Sequence, residues 1–460
     1  MPLEDWNGNF LGQGGGGWAA GSEGNLAPAV ARGYAAVNTD AGHTFHGDPF
    51  KAVGSAESWA QKSPGNVDWP LLQNFASISL DDMTHIGKQV VEAFYGKEPK
   101  YSYWHGCSTG GRQGLMQAQR YPSNYDGILA AAPAINWQTF VPSELWGQVL
   151  MKVEDYYPPG CEVQAIQKAA IEACDELDGV KDGVVAAANL CHFDAGSIVG
   201  TEYNCSGDIR KISKAAARIV NGAWKGPVRN GKQVWFGLTH EAALAVEPQP
   251  LGGLLQTECD EQNKNCKGRR MPISADWFRL YLAKDPAYDL DTMNEEDFFN
   301  LIHRSQQEYT SIIGTDDPDL SQFRAAGGKM ITWHGLADQL IFPHGSANYY
   351  ERVLELDPEA KDFYRYFEAP GVGHCAGGPG ALPGNVFNDL VAWVEEGKAP
   401  DRVEASTDPI EGSDTVLYRP LCLYPQVAAY QGGDPDLAAS FKCAADFGSK
   451  KATSSGHSEL

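Results

Sequence analysis

The chain has 460 residues, enough to bury a large core and more in keeping with a main domain carrying an insertion than with one compact unit. It carries 59 acidic and 36 basic residues, a formal net charge of −23, and a surface of that sign repels the phosphate backbone of nucleic acids. No apolar run approaches the roughly 18 residues of a membrane span, so we expect neither a nucleic-acid nor a membrane partner.

The number and spacing of the cysteines indicate the compartment in which the protein works. There are 10 of them, an even number, in small clusters with local spacing, which is typical of proteins from an oxidising environment. Residues 1–20 lack a basic start followed by an apolar core, so we expect no signal peptide within this chain. The pattern favours a mature or trimmed form of a secreted, extracellular protein. A cytosolic protein with free thiols is the alternative.

A glycine-rich loop lies near the start of the chain. Residues 7–21 predict a strand that runs into Gly14–Gly17, and residues 34–37 look like a neighbouring strand that would tie the loop to a core. A flexible linker is the alternative. In a hydrolase, such a loop can offer backbone N–H groups to a developing oxyanion, and Gly15 and Gly16 are the candidate donors.

Residues 106–110 read Gly-Cys-Ser-Thr-Gly, the Gly-x-Ser-x-Gly pattern of a nucleophile elbow. A short aromatic strand is predicted over residues 100–105 and a helix over 113–120, ending before Pro122. Between them the turn would lift the hydroxyl of Ser108 out of the backbone. The N–H of Thr109 then becomes the second candidate oxyanion donor. The pattern also occurs by chance, and the flanking strand and helix favour the functional interpretation.

Strands and helices alternate on both sides of the elbow. A helix is predicted from residue 81 to 94 and a strand over 125–133, and alternation returns with strands at 327–334 and 363–367 and a helix at 385–396. This order predicts an α/β fold, an α/β-hydrolase core with a mainly parallel central sheet, built from residues 1–136 and 324–460. Residues 137–323, rich in turns and cysteines, are predicted to form a large inserted lid with helical pieces at 164–173 and 213–224. Three aromatic residues of the predicted lid are candidate substrate contacts: Trp235, Phe236 and Trp277. Aromatic residues of this kind are more often part of a core than in contact with a ligand.

An acidic segment lies inside the predicted lid. Asp175, Asp178 and Asp182 are punctuated by turn glycines, and hard carboxylates in such a loop suit Ca²⁺, with the backbone carbonyls of Val180 and Val184 completing the shell. The spacing is not that of an EF-hand. A solvated acidic turn is the alternative. Two cysteines bracket the segment and are candidates for a bridge: Cys174 and Cys191.

The partners of a catalytic serine follow in the expected order. In α/β hydrolases an acid and then a histidine come after the serine, each in a loop behind a strand. Asp338 follows the strand that ends near residue 334, and His374 follows the strand over 363–367. Asp338 could be a turn residue and His374 a packed loop side chain. The presence of both residues behind strands that follow an elbow favours a Ser-His-Asp triad.

Two cysteines flank the predicted triad. Cys107 directly precedes Ser108, and Cys375 directly follows His374. If the serine and histidine lie within hydrogen-bond reach, their covalent neighbours come close enough for a disulfide, whose Cα atoms are about 4.4–6.8 Å apart. Two buried thiols, or Cys107 itself as the nucleophile, are the alternatives. The second is disfavoured because Cys107 precedes the tip of the elbow.

The pairing of Cys107-Ser108 with Asp338 and His374-Cys375 resembles the signature of the tannase and feruloyl esterase family. The similarity extends to residues 6–12, 173–184, 349–353 and the tail from Arg419 to Cys443. It implies an α/β-hydrolase core with a large lid, secretion, and hydrolysis of phenolic esters. It also favours structural calcium in the acidic segment and three further bridges: Cys161–Cys205, Cys259–Cys266 and Cys422–Cys443. Family members usually carry more residues before the first strand, so we expect this chain to be truncated there.

The sequence therefore predicts a secreted serine esterase that cleaves hydroxycinnamoyl esters of plant cell-wall material, free or polysaccharide-linked, without an organic cofactor. Galloyl esters and terephthalate monoesters are alternative substrates. A catalytically dead carbohydrate-binding module, and a peptidase or acyltransferase of similar architecture, are the alternatives from different functional classes. We expect a monomer or homodimer. Asn204 begins the sequon Asn-Cys-Ser, whose cysteine leaves its glycosylation open.

Overall fold

The computed structural model describes residues 1–43, 49–246, 252–409 and 415–447. Its strands, numbered in chain order, are β1 (Phe10–Gln13), β2 (Ala35–Val37), β3 (Gln61–Ser63), β4 (Asn66–Val67), β5 (Ser102–Cys107), β6 (Gly127–Ala131), β7 (Glu202–Cys205), β8 (Asp208–Lys211), β9 (Val228–Arg229), β10 (Lys232–Gln233), β11 (Thr257–Glu258), β12 (Lys267–Gly268), β13 (Lys329–Gly335), β14 (Tyr364–Ala369), β15 (Arg402–Ser406), β16 (Tyr418–Cys422), β17 (Val427–Tyr430) and β18 (Phe441–Ala444).

Six of these strands form a parallel sheet in the order β14-β13-β6-β5-β1-β2. The remaining strands pair as two-stranded antiparallel ribbons. Because parallel strands end at the same edge of a sheet, the loops after β5, β13 and β14 come together there. These are the loops that carry Ser108, Asp338 and His374. The predicted α/β fold with a mainly parallel sheet is confirmed.

The α-helices are α1 (Leu26–Ala31), α2 (Pro49–Gly54), α3 (Trp69–Gln73), α4 (Ser79–Tyr95), α5 (Thr109–Arg120), α6 (Trp137–Ser143), α7 (Trp146–Val153), α8 (Gly160–Cys174), α9 (Lys214–Lys225), α10 (Pro272–Asp276), α11 (Glu295–Ile313), α12 (Ser321–Ala325), α13 (Pro343–Leu356) and α14 (Val386–Glu396). The predicted helices are present, most with slightly wider bounds. In the described parts of the chain, no helix has both the length and the apolar character needed to cross a membrane.

Apolar clusters cover both faces of the sheet. One face packs on α4, α5 and α13, and the other on α1 and α14. The polypeptide between neighbouring strands β6 and β13 contains α6 to α12 and supplies most of the largest apolar cluster. This cluster also includes residues before the predicted lid, among them Trp18, Trp59 and Phe75. The division into 1–136, 137–323 and 324–460 stays a prediction, and residues 448–460 of the last segment lie outside the described residues.

Candidate active site

Ser108 lies at a sharp turn between the central strand β5 and helix α5. Its backbone is held at φ 64° and ψ −124°, a conformation that costs a non-glycine residue free energy and persists only where the surroundings impose it. Its N–H donates to the carbonyl of Ala131 at 3.1 Å. A Cβ at Gly106 would lie 2.5 Å from the backbone of Gly110, which explains the glycine there. Helix α5 starts at Thr109, not at Gln113 as predicted, because its first turn is the elbow itself.

Asp338 and His374 are in contact. The Nδ1 of His374 lies 2.8 Å from Oδ2 of Asp338, and the aspartate is fully buried. The same oxygen lies 3.1 Å from Nε2 of His334. Oδ1 accepts the backbone N–H groups of Leu340 and Ile341, each at 2.8 Å. Four hydrogen-bond donors therefore contact this carboxylate, and they replace the hydration that burial removes.

The pKa of Asp338 reflects these contacts. Burial on its own raises the pKa of a carboxyl group, because the charged form loses its hydration. Here the positive charge of His374 and the hydrogen bonds from His334 and His374 outweigh burial, and they hold the pKa of Asp338 well below its usual range. The carboxylate is thus kept in its ionised form, as required of a group that orients and stabilises an imidazolium.

A disulfide joins the serine loop to the histidine loop. Cys107 and Cys375 are bonded, with their Cα atoms 6.0 Å apart, across a sequence separation of 268 residues. Ser108 and His374, the residues next to these two cysteines, both line one cleft of about 580 Å³. The bridge places the nucleophile candidate and the base candidate at the same opening, at the carboxyl edge of the sheet.

The glycine-rich loop forms one wall of the cleft, but three of its N–H groups are engaged elsewhere, that of Gly14 with the carbonyl of His105 at 3.1 Å. The N–H of Gly15 donates to Oε1 of Gln113 at 3.0 Å, and that of Gly16 donates to the carbonyl of Ala19 at 3.0 Å. Among the residues that the structure describes, none accepts a hydrogen bond from the N–H of Thr109 or Gly17. Thr109 thus keeps its candidate role. Gly15 and Gly16 are corrected, because their N–H groups already donate to Gln113 and to Ala19.

Comparison with known proteins gives the family. The family model described as tannase and feruloyl esterase matches residues 1–444. A probable feruloyl esterase from Arthroderma benhamiae is 42% identical over 456 residues, which cover 98% of this chain and 82% of that protein. The chain belongs to the tannase and feruloyl esterase family. The members of this family are carboxylic ester hydrolases, and so is this protein.

Other relatives of this esterase differ in the substrate that their names give. Mono(2-hydroxyethyl) terephthalate hydrolase from Piscinibacter sakaiensis is 31% identical, over 97% of this chain and 80% of that one. The solved structure of tannin acyl hydrolase from Aspergillus niger superposes with a TM-score of 0.85 at 28% identity, over 96% of this chain and 81% of that one. The structure of feruloyl esterase B from Aspergillus oryzae gives a TM-score of 0.77 at 27% identity, with coverage of 96% and 85%.

The lid aromatics proposed from the sequence do not line the esterase's cleft. Trp277 is completely buried in the large aromatic cluster. Trp235 packs against Phe236, with ring centroids 5.1 Å apart, and Phe236 lies near the ring of His344. The described residues of the cleft include only Ile273 from the predicted lid segment. Aromatic character alone could not separate these rings from core residues, because both are apolar and both favour burial.

The acidic segment contains buried carboxylates, but they have protein partners. Asp175 accepts the N–H groups of Asp182 and Gly183 at 3.1 Å, and Asp178 accepts that of Val180 at 2.9 Å. Asp182 pairs with the guanidinium of Arg419 at 2.6 Å. Burial, with the charges of Asp182 and Asp175, raises the pKa of Asp178 to about 6.

The fit to a cation in this segment is therefore incomplete. In the described ranges, no three His, Cys, Asp or Glu side chains are arranged to hold a metal ion together. Asp182 is paired with an arginine, whose charge would oppose a cation. Asp175 and Asp178 are buried and close enough to repel each other, which is the condition that a cation would relieve. Calcium in this esterase stays a prediction.

All ten cysteines are paired as the sequence analysis and the family resemblance predicted. The S–S bonds of the structure are Cys107–Cys375, Cys161–Cys205, Cys174–Cys191, Cys259–Cys266 and Cys422–Cys443. No free cysteine occurs in the part of the chain that the structure covers. A thiol nucleophile at Cys107 is excluded in this state, because its sulfur is bonded to Cys375.

Two positioning residues were missed by the sequence analysis. His334 is fully buried, and its ring bridges Asp338 and the hydroxyl of Ser346, the latter at 2.8 Å. Gln113 is also fully buried, and it clamps the glycine-rich loop by accepting from Gly15 and donating to the carbonyl of Ala20 at 2.8 Å. A signal existed for His334, since it lies in a buried strand four residues before the candidate acid. Gln113 gave none, because its partners are backbone atoms distant in sequence.

Proposed function

We propose that this esterase is a secreted serine hydrolase of phenolic esters, of the feruloyl type, and that Ser108, His374 and Asp338 are its catalytic residues. One observation carries the proposal: the strained serine and the aspartate-bound histidine face one cleft and are tied together by the adjacent Cys107–Cys375 bridge. A covalent link at this point favours catalysis, because nucleophile and base must keep their geometry to work together.

In the proposed reaction the Oγ of Ser108 attacks the ester carbonyl while Nε2 of His374 takes its proton. The imidazolium that results is stabilised by the ionised carboxylate of Asp338 at its Nδ1. His374 then returns the proton to the leaving alcohol, and an acyl-serine remains. Water attacks the acyl group by the same route, with His374 again acting as base, and the free acid leaves.

The oxyanion of each tetrahedral intermediate needs two donors. Thr109 at the start of α5 supplies one N–H, as in other elbows. For the second we propose the N–H of Gly17, in place of Gly15 or Gly16, because it lines the cleft and has no acceptor among the described residues. Removal of one such donor costs about 3 kcal/mol of transition-state stabilisation in other serine hydrolases.

The acyl group is proposed to be an aromatic acid of the hydroxycinnamoyl type. Support comes from the relative named feruloyl esterase at 42% identity, compared with 31% for the terephthalate monoester hydrolase. Three of the apolar side chains that line the cleft come from outside the sheet strands: Val53, Ile273 and Leu340. A flat ring would pack on such a surface. Galloyl and terephthaloyl esters are the alternatives, because they present a similar flat ring.

The remaining expectations belong to the same proposal. Five disulfides are typical of proteins that work in an oxidising compartment, which supports secretion. If calcium binds, Asp175 and Asp178 with the carbonyls of Val180 and Val184 would hold it, and Asp182 would have to leave Arg419. Its role would be structural, and no step above depends on it.

The test is a panel of esters assayed side by side. We expect methyl ferulate and methyl p-coumarate to be cleaved with higher kcat/KM than methyl gallate or the terephthalate monoester. A preference for gallate or terephthalate would transfer the assignment to that substrate. No turnover of any ester, with carbohydrate binding retained and no labelling by a serine-directed phosphonate, would favour a dead binding module. Faster turnover of amides than of esters would favour a peptidase, and acyl transfer to added alcohols would favour an acyltransferase.

A further inference from the structure

Two polar side chains in the cleft have no role in the reaction described above. Gln13 ends strand β1, and His105 lies two residues before the end of the neighbouring strand β5. The two are direct partners in the parallel register, so they lie side by side on one face of the sheet. Both line the cleft that contains Ser108 and His374. Gln13 is only 8% exposed.

The polar atoms of both side chains open into the cleft and are not used inside the protein. Within the described residues, the carboxamide of Gln13 has no hydrogen-bond partner in the protein, and neither ring nitrogen of His105 has one, although that ring contacts Phe387. The buried glutamines Gln113 and Gln117 on α5 both make side-chain hydrogen bonds. The polar atoms of Gln13 and His105 are therefore free to bind a group that enters the cleft beside Ser108.

The position of the pair indicates which half of an ester it would meet. Side chains alternate along β5, so His105 is on the same face as Cys107, whose sulfur is bonded to Cys375 beside His374. His374 is the group that protonates the departing alcohol in the proposed reaction. The apolar side chains of Val53, Ile273 and Leu340 suit the aromatic acid of the ester. Gln13 and His105, which are polar, suit the alcohol that is esterified to this acid.

We propose that Gln13 and His105 form the subsite for the alcohol half of the ester, and that this subsite takes a hydroxyl-rich alcohol such as a sugar. The inference rests on the proposed esterase function. A carboxamide and a neutral imidazole each offer a donor and an acceptor, which matches the hydroxyl group, itself a donor and an acceptor.

The surroundings of the pair suit such a ligand. Burial and the nearby charge of Arg32 lower the pKa of His105 to about 4, so its ring is neutral at ordinary pH. Arg32 lines the same cleft and donates to Asn388 at 2.7 Å, which leaves further N–H groups of its guanidinium available. Asn25 also lines it and donates to the carbonyl of Gly14 at 3.3 Å, which leaves its own carbonyl oxygen as an acceptor.

The experiment compares two esters of the same acid. Wild type, Gln13→Leu and His105→Phe are assayed on methyl ferulate and on the ferulate ester of arabinose. We expect the ratio of kcat/KM for the sugar ester to that for the methyl ester to fall about tenfold in each variant, because methanol offers no further hydroxyls to lose. Ile273→Ala is the matched control, and it should lower both values in parallel, since both esters carry the same acid.

Unchanged ratios in two variants that still turn over methyl ferulate would overturn the subsite. So would an equal loss on both esters, which would indicate a structural role for the pair. If the wild type cleaves neither ester, the proposed function itself fails, and that result is distinct from both.

Discussion

Removal of the Cys107–Cys375 bridge should damage stability and catalysis together. The bridge closes a loop with a sequence separation of 268 residues, whereas Cys422–Cys443 closes one of 21. The loop-closure entropy of the unfolded chain gives a loss of about 5.6 kcal/mol for the first bridge and about 3.3 kcal/mol for the second. The double variant Cys107→Ala/Cys375→Ala should therefore unfold at a clearly lower guanidinium concentration than Cys422→Ala/Cys443→Ala.

The loss of activity should distinguish the Cys107–Cys375 bridge from the control bridge Cys422–Cys443. Cys107 and Cys375 are next to Ser108 and His374 in the sequence. Loss of the disulfide should therefore let the serine and the histidine move apart, and a displacement of about 1 Å costs about 100-fold in rate. We expect kcat/KM for methyl ferulate to fall by that order in the first variant, at a temperature where circular dichroism shows both variants folded. The control should lose far less. Full activity of the folded Cys107→Ala/Cys375→Ala variant would refute the positioning role.

Four further changes have expected outcomes. Gln113→Leu should lower kcat about 10- to 100-fold with little change in KM, since it frees the loop that is proposed to hold the oxyanion, and an effect on KM alone would contradict this. His334→Phe should lower the free energy of unfolding by about 1.5–3 kcal/mol, the value of a hydrogen bond to a charged group, and an unchanged denaturation midpoint would count against it. Chelation should lower the melting temperature if calcium occupies the acidic segment, and an unchanged value would end that prediction. Finally, the melting temperature should fall between about pH 7 and pH 8. Burial raises the pKa of Glu144, Glu241 and Glu368 to about 8, 7 and 7, so in this range the folded state still holds protons that the unfolded chain, with a carboxyl pKa of about 4.3, has released. Below about pH 6.5 buried histidines act in the opposite direction, because burial lowers the pKa of His43 and His105 to about 4. A melting temperature that rises from about pH 7 to about pH 8 would refute the prediction.

The elements that bear the site could be predicted because their signals are local. A nucleophile elbow needs glycines at fixed positions, and Gly106 stands where a Cβ would meet backbone. The chain order of serine, acid and histidine needs only strands that end at one edge, and hydrophobic patterning gives those strands. The bridge between Cys107 and Cys375 followed from the same geometry, since it needs only that Ser108 and His374 meet.

The details that failed depend on contacts between distant residues. Gly15 and Gly16 looked like free donors because nothing in a run of glycines reveals that Gln113 and Ala19 accept from two of them. Trp277 looked like a substrate contact because composition does not distinguish a ring in a cleft from a ring in a core. The role of His334 depended on the turn of β13 into the Asp338 loop, which only the folded chain supplies.

The most direct test of the central claim is the serine itself. Wild type and Ser108→Ala are compared for release of ferulate from methyl ferulate and for covalent labelling by a serine-directed phosphonate, with the mass of the labelled peptide determined. The account predicts one label on the peptide that contains Ser108, and in the variant neither label nor ester cleavage above background. Undiminished cleavage by the variant, or a label on another residue, would contradict it.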